Sequence, residues 1–301
     1  MSYDKIHVFT DADLDGAISY LTLCWYFEKK LNVTPTTESS FQAAFQTFIG
    51  TNKPENYSRI YVLDMAVIEH AKLLDRPNVT LVDHHQESYN SNVTFQKART
   101  LFKEEGSTCK LLYNKLKESF KKDIDQNKKL LISLGHDYDS YTLKYKDLSL
   151  GLNILFWNLQ GNRTEKFAAK FYNGFEKFNE EDIKIIHFYK NKIDKHIQQT
   201  PVYYSDVNIG GKIVKVCSIF ADFCINEIAQ EIIDLTKSDI GIVVNLRTES
   251  VCFRRSRNCK INLGTIAEKI AEGGGHEAAA GGKLTSTFIN FTKLLTNIYG
   301  Q

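Results

Sequence analysis

No apolar run in the 301-residue sequence approaches the roughly 18–20 residues that a membrane-spanning helix needs. Excess charge of one sign is missing too. Against 36 Asp and Glu stand 38 Lys and Arg, and the formal charge of +2 gives no case by itself for a nucleic-acid partner. Of the six cysteines none forms a CxxC pair, and none has histidines at zinc-finger spacing. Reduced thiols are therefore expected, not a disulfide framework. Residues 1–5 lack the basic-then-apolar build of a secretory leader, so a cytoplasmic location with no membrane contact is the expectation. What is present, 43% hydrophobic and 25% charged residues, suits a globular protein with room for two cores.

Against that background, one stretch is dense in carboxylates. Asp11, Asp13 and Asp15 alternate at the end of the apolar run Ile6–Phe9 and are followed by Gly16. In extended chain the three would point the same way, and like charges so crowded need a cation among them. Hard divalent ions answer that need with oxygen ligands. A solvated acidic turn before a helix is the competing reading. Two further runs, RIYVLD and VTLVD, also close on aspartates, Asp64 and Asp83. Strands at 5–11, 59–64 and 79–83, separated by helical segments, predict a parallel α/β sheet, in which ligands gather at the carboxyl ends. His84 and His85 follow Asp83 directly, and an Asp-His-His at such a rim reads as a metal site.

The spacing predicts helices over 17–30 and about 106–120, and one near 128–134 that runs into Gly135-His136-Asp137-Tyr138-Asp139-Ser140. That segment is either a capping loop or a fourth group of ligands. Residues 147–199 read as helical, and their aromatics read as core. Pro201 ends the last helix. Beyond it, Gly210-Gly211 marks a hairpin between strands at 202–209 and 212–219. A helix at 223–236, strands at 239–246 and 250–255 and a helix at 263–272 then lead to Gly273-Gly274-Gly275-His276. Glycines that let amides approach an anion, with a helix starting near His276, predict a phosphate cradle.

With these residues assembled, the chain resembles the DHH phosphoesterase superfamily, in the branch whose C-terminal domain ends in a GGGH motif. The motifs are DADLDG at 11–16, Asp64, DHH at 83–85, HDYD at 136–139 and GGGH at 273–276. The resemblance implies an N-terminal parallel-sheet domain over 1–185, a helical linker over 186–200 and a smaller α/β domain over 201–301, with the active site in the cleft. It implies two divalent ions, Mn²⁺ first and Mg²⁺ second. Their ligands would come from Asp13 and Asp15, a bridging Asp64, His84 and an aspartate of the fourth motif. Asp137 is the first choice there and Asp139 the second. Asp83 and His85 would orient ligands or catalyse. Many members carry a histidine four residues before Asp13. This chain has Phe9, and Asp11 is the candidate replacement ligand. Arg254 and His276, with Gly274 and Gly275, would grip a phosphate or terminal nucleotide.

The implied activity is hydrolysis of single-stranded or short oligonucleotides to mononucleotides by a two-metal activated water. Hydrolysis of a small nucleotide, such as a cyclic dinucleotide or a 3′,5′-bisphosphate, is the second reading. A catalytically silent nucleic-acid-binding scaffold is the third.

Overall fold

A computed structural model describes residues 5–284. They form two compact units, with the break between Ile183 and Lys184.

The first unit is built on a five-stranded, all-parallel sheet of strand order β2-β1-β3-β4-β5. Its strands are β1 (Ile6–Asp11), β2 (Asn32–Thr36), β3 (Arg59–Leu63), β4 (Val79–Asp83) and β5 (Arg99–Phe102). Helix α1 (Leu14–Phe27) follows β1, α2 (Glu38–Thr51) follows β2, and the short α3 (Ala71–Leu74) and α4 (Gln86–Tyr89) flank β4. Four helices follow, α5 (Thr108–Phe120), α6 (Gln126–Asp139), α7 (Lys146–Asn158) and α8 (Arg163–Lys170), and α9 (Glu180–Gln199) runs across the break into the second unit. The chain leaves β1 on one side to form β2, then crosses back to form β3. The strand order therefore reverses between β1 and β3, and a crevice opens at the carboxyl ends of that pair. The sequence reading identifies three of the five strands. Strand β2 carries Pro35 and β5 has no fully buried residue, so neither shows the apolar run of a central strand.

Helix α1 starts three residues earlier than the spacing predicts, because Asp13 is its N-cap and accepts from Gly16 N at 2.8 Å. The alternation expected over Asp11, Asp13 and Asp15 therefore stops at Asp11, and Asp15 lies in the first helical turn. Nearly every residue of α1 is buried, which suits a helix enclosed by β1, α5, α6 and α8. Phe9 is fully buried on the other side of the sheet against Phe41, Phe45 and Phe48 of α2, at centroid distances of 5.2–5.8 Å. The departure at position 9 thus serves packing.

The second unit carries a six-stranded mixed sheet of order β10-β11-β9-β8-β7-β6. Strands β6 (Tyr203–Ile209) and β7 (Lys212–Phe220) form the expected hairpin, with positive φ at both Gly210 and Gly211. Helix α10 (Ile225–Thr236), strands β8 (Ile240–Asn245) and β9 (Ser250–Arg255) and helix α11 (Leu263–Ala271) follow as predicted. Strands β10 (Gly274–Gly275) and β11 (Ala279–Lys283) complete the sheet. Ile193 and Ile197 of α9 pack into the core that α10 makes with the sheet.

Gly16 is where the fold presses hardest on the rim of the first sheet. A Cβ there would lie 2.3 Å from Asp11 O and 2.9 Å from Thr10 Oγ1. Gly16→Ala is expected to destabilise the protein by about 1–3 kcal/mol through this overpacking, read as a lower urea midpoint with an unchanged m-value.

Candidate metal centre

The carboxyl ends of β1, β3 and β4 and the last turn of α6 bring a set of acids around one imidazole. His84 Nε2 lies 3.1 Å from Asp139 Oδ2, 3.4 Å from Asp64 Oδ1 and 3.9 Å from Asp15 Oδ2. Asp15, Asp64, Asp83 and His84 are each 3% exposed or less. Asp13 approaches the carboxyl of Asp64, and Asp11 lies close enough to Asp13 for their charges to interact.

Each position has a local cause. Asp15 accepts from Thr108 N at 2.6 Å and Cys109 N at 2.9 Å, so its carboxylate satisfies the first amides of α5 and ties that helix to the rim. One lone pair on each oxygen is left for another partner. Asp64 sits just past β3 at φ +64°, a left-handed conformation unusual for aspartate and costing about 1 kcal/mol or more. Asp83 holds both of its oxygens inside the motif. Oδ1 accepts from His84 N at 2.9 Å and pairs with His85 Nδ1 at 2.7 Å, and Oδ2 accepts from Ser88 Oγ at 2.5 Å. His85 is thereby fixed through Nδ1, with Nε2 turned away from Asp83.

The fourth motif corrects an expectation. Residues 136–139 are the last turn of α6, not a loop. Two residues apart on a helix differ by about 200°, so Asp137 and Asp139 cannot face the same way. Asp139 meets His84. Asp137, the first choice from sequence, accepts from Thr142 Oγ1 (2.6 Å), Lys144 N (2.6 Å), Tyr145 N (2.9 Å) and Ser149 Oγ (2.9 Å). That carboxylate locks the following loop, in which Tyr141 and Leu143 both adopt positive φ. His136 pairs with Ser107 Oγ at 2.9 Å. His7, the histidine of β1, points into the Phe9 cluster and pairs with Thr34 Oγ1 at 3.0 Å.

The electrostatics fit a cation. Burial first, and then the charges of its acidic neighbours, push Asp64 and Asp139 well above the usual carboxylate range. The same two causes raise Asp11 to about 8 and Asp13 to about 6. Burial would lower His85, but the hydrogen bond and charge of Asp83 outweigh it and raise the imidazole to about 10. Burial would raise Asp83, yet His85 and Ser88 hold it low. Among the described residues, buried Asp64 Oδ1 and Asp139 Oδ2 have no hydrogen-bond partner. Two orphaned carboxyl oxygens beside an imidazole nitrogen form a donor set for a hard or borderline divalent ion. Asp15, Asp64 and His84 offer ligand atoms within 4.8 Å of one another, as do Asp64, Asp83 and His85.

In the second unit the predicted phosphate cradle takes another form. No helix begins at His276. Gly274 and Gly275 pair with Gly281 and Ala280 as a hairpin, and His276 is in its connection. The glycines answer to close packing, since a Cβ on Gly273 would lie 1.9 Å from Gly281 O and one on Gly275, at φ +132°, 2.7 Å from Ala279 O. Arg254 donates from Nη1 to Phe253 O at 2.8 Å and from Nη2 to Asn226 Oδ1 at 2.6 Å. Arg255 is engaged with Ile261 O and Glu277. Sequence reasoning misses Ser88, Ser107 and Asn226. Each is a short polar residue whose partner is fixed only by the fold. Only Ser88, five residues after Asp83, lies near enough in sequence to draw notice.

Two outcomes follow. Asp137→Asn is expected to lower stability by about 1–3 kcal/mol through lost loop bonds while Mn²⁺ uptake persists, as checked by urea unfolding and metal titration. Between pH 6.5 and 8, Asp11, Asp13, Asp64, Asp139 and His85 all hold more protons folded than unfolded, because each is raised. The His85 contribution is full below its unfolded pKa of about 6.5 and fades as pH rises toward its folded value. The raised carboxylates penalise the folded state increasingly over the same range. Their sum makes metal-free protein less stable at pH 8 than at pH 6.5. His7, lowered to about 4 by burial, and His136, also lowered by burial, oppose this below pH 6.5 and at the low end of the window, where the unfolded imidazoles are still losing their protons. Thermal midpoints in chelator that rise from pH 6.5 to 8 would contradict the cluster's electrostatics.

No family model matches the chain, and no curated protein sequence matches it. Solved structures do. The chain is similar to the pGpG-specific phosphodiesterase PggH of Vibrio cholerae, with a TM-score of 0.56 and 13% identity over 98% of this chain and 99% of that one. RecJ of Thermus thermophilus, in complex with Mn²⁺, gives a TM-score of 0.55 and 12% identity over 98% of this chain and 52% of RecJ. The DHH domain of a protein from a family of ribosomal proteins gives 0.57 and 13%, over 93% and 82% of the two chains. Identity this low speaks to the fold. With a five-stranded parallel sheet, a second mixed sheet and neighbours that span nearly all of it, the chain shares the two-sheet α/β fold of these structures.

Proposed function

We propose that the protein is a metal-dependent phosphodiesterase that hydrolyses short or single-stranded oligonucleotides to mononucleotides. One observation carries this reading: the buried acids around His84, with orphaned oxygens on Asp64 and Asp139, at the crevice where the strand order reverses. Asp13, Asp15, Asp64, His84 and Asp139 are the proposed ligands of two divalent ions, Mn²⁺ first, with Asp11 at their edge. Bound there, such ions supply positive charge at the phosphoryl oxygens and acidify a coordinated water.

The chain's own residues do the rest. Asp83 fixes the His85 ring through Nδ1, and its charge keeps the imidazole protonated at neutral pH. His85 Nε2–H then donates toward a phosphoryl or leaving-group oxygen as acid or electrostatic partner. Asp15 holds α5, and Asp64 in its left-handed turn presents a carboxylate that needs no reorganisation on ligand binding. Arg254 and His276 bind a phosphate of the substrate. Short substrates are favoured by the likeness to a pGpG-specific phosphodiesterase. The likeness to PggH spans 98% of this chain and 99% of that one. A small nucleotide remains the second reading.

The test is a set of 5′-phosphorylated oligonucleotides of graded length, a cyclic dinucleotide and a 3′,5′-bisphosphate, each assayed with Mn²⁺ and with chelator. Turnover is expected to be fastest on the shortest linear substrates and to vanish with chelator. Asp64→Asn and His84→Ala are expected to cut kcat by about 10³-fold or more. Preference for the bisphosphate or the cyclic dinucleotide would favour the second reading. Absence of any turnover would favour the silent scaffold.

A further inference from the structure

Arg254 lies on β9 between two positions with little or no side chain. Its cross-strand partners are Gly241 on β8 and Ala279 on β11. A guanidinium on a flexible stem with such neighbours would sample many orientations and lose entropy on binding an anion. Helix α10 supplies what the sheet does not. Gly241 lets that helix come close: a Cβ at 241 would meet Ala229 O at 2.6 Å. The close approach brings Asn226, in the first turn of α10, over β9.

Asn226 Oδ1 accepts from Arg254 Nη2 at 2.6 Å and from Cys252 Sγ at 3.3 Å. Residues 252 and 254 point to the same face of the strand, so one oxygen is held by two donors of β9. The orientation of the amide is settled by chemistry. Guanidinium has donors only, so the group facing it has to be the oxygen. The second bond of the guanidinium, Nη1 to Phe253 O at 2.8 Å, leaves from a different nitrogen. Two bonds from two nitrogens fix the plane of a rigid planar group, where one would leave it free to rotate.

We propose that Asn226 is a positioning residue, which orients the Arg254 guanidinium for a phosphate of the bound nucleotide. This rests on the assignment of Arg254 to substrate binding made above. The amide is suited to that work because it is neutral. A carboxylate at 226 would hold the guanidinium equally well but compete with the phosphate for its charge.

Affinity for 5′-AMP by calorimetry on Mn²⁺-loaded protein, and KM for a 5′-phosphorylated adenosine dinucleotide, test the proposal in Arg254→Ala, Asn226→Ala, Asn226→Asp and the double variants. Arg254→Ala is expected to weaken AMP and raise KM by about tenfold, equivalent to one charge-assisted bond. Asn226→Ala should weaken both by about fivefold. Asn226→Asp, which keeps size and hydrogen bond, should cost at least as much while leaving the thermal midpoint unchanged. In the Arg254→Ala background either change at 226 should add less than about twofold, because the residue acts through the arginine. Effects of equal size in both backgrounds would overturn the positioning role, as would an Asn226→Asp variant with normal affinity. If Arg254→Ala binds AMP normally, the assignment of Arg254 falls and this inference with it. If no variant turns over dinucleotide yet AMP affinity follows the stated pattern, the hydrolytic reading fails and the positioning role stands.

Discussion

Mutual repulsion among buried and half-buried carboxylates is the constraint around which the first unit is arranged. His84 Nε2 has three of them within 4 Å, from Asp15, Asp64 and Asp139. Those acids come from a helix start, a strand end and a helix end, so the rim of the sheet and both flanking helices converge on one point. No packing gain asks for this. Taking several carboxylates out of water costs several kcal/mol apiece unless charge compensates, and burial together with their mutual repulsion raises Asp11, Asp13, Asp64 and Asp139 above the usual carboxylate range. A left-handed aspartate and a carboxylate that caps a distant helix are further local concessions to the same site.

Much of this is legible in the sequence, for physical reasons. Parallel strands buried on both faces read as apolar runs, and β1, β3 and β4 each stop at an acid because the rim is where the polar chemistry sits. That order of motifs is enough to identify the resemblance. The edge strands β2 and β5 escape notice because edges do not have to be apolar. The fourth motif misleads for a geometric reason. Taken as a loop, 136–139 gives no basis for choosing Asp139. Taken as helix, the 200° between Asp137 and Asp139 turns only one of them toward His84. The sign of the signal is local, but its period is hidden by Gly135, which reads as a break and in fact packs its bare face against Ile18 Cδ1, 2.5 Å from where a Cβ would lie.

The second unit shows the opposite limit. Its elements from β6 to α11 fall where turn chemistry and periodicity put them, and the Gly-rich run stands out as special. The reason read from sequence is incomplete. The glycines there are demanded by chain passing against chain, and a hairpin stands where a helix start is expected. Asn226 cannot be found from sequence at all. Nothing in a helix start distinguishes an asparagine that orients an arginine twenty-eight residues away.

The central claim is that the acids around His84 exist to hold divalent ions. Calorimetric titration of Mn²⁺ into chelator-stripped protein, repeated in buffers of different ionisation enthalpy, tests it most directly. The account predicts about two ions per chain, uptake coupled to proton release because raised carboxylates give up their protons, and loss of at least one ion in Asp139→Asn. Binding without proton release, or an Asp139→Asn variant that takes up Mn²⁺ as the parent does, would contradict it.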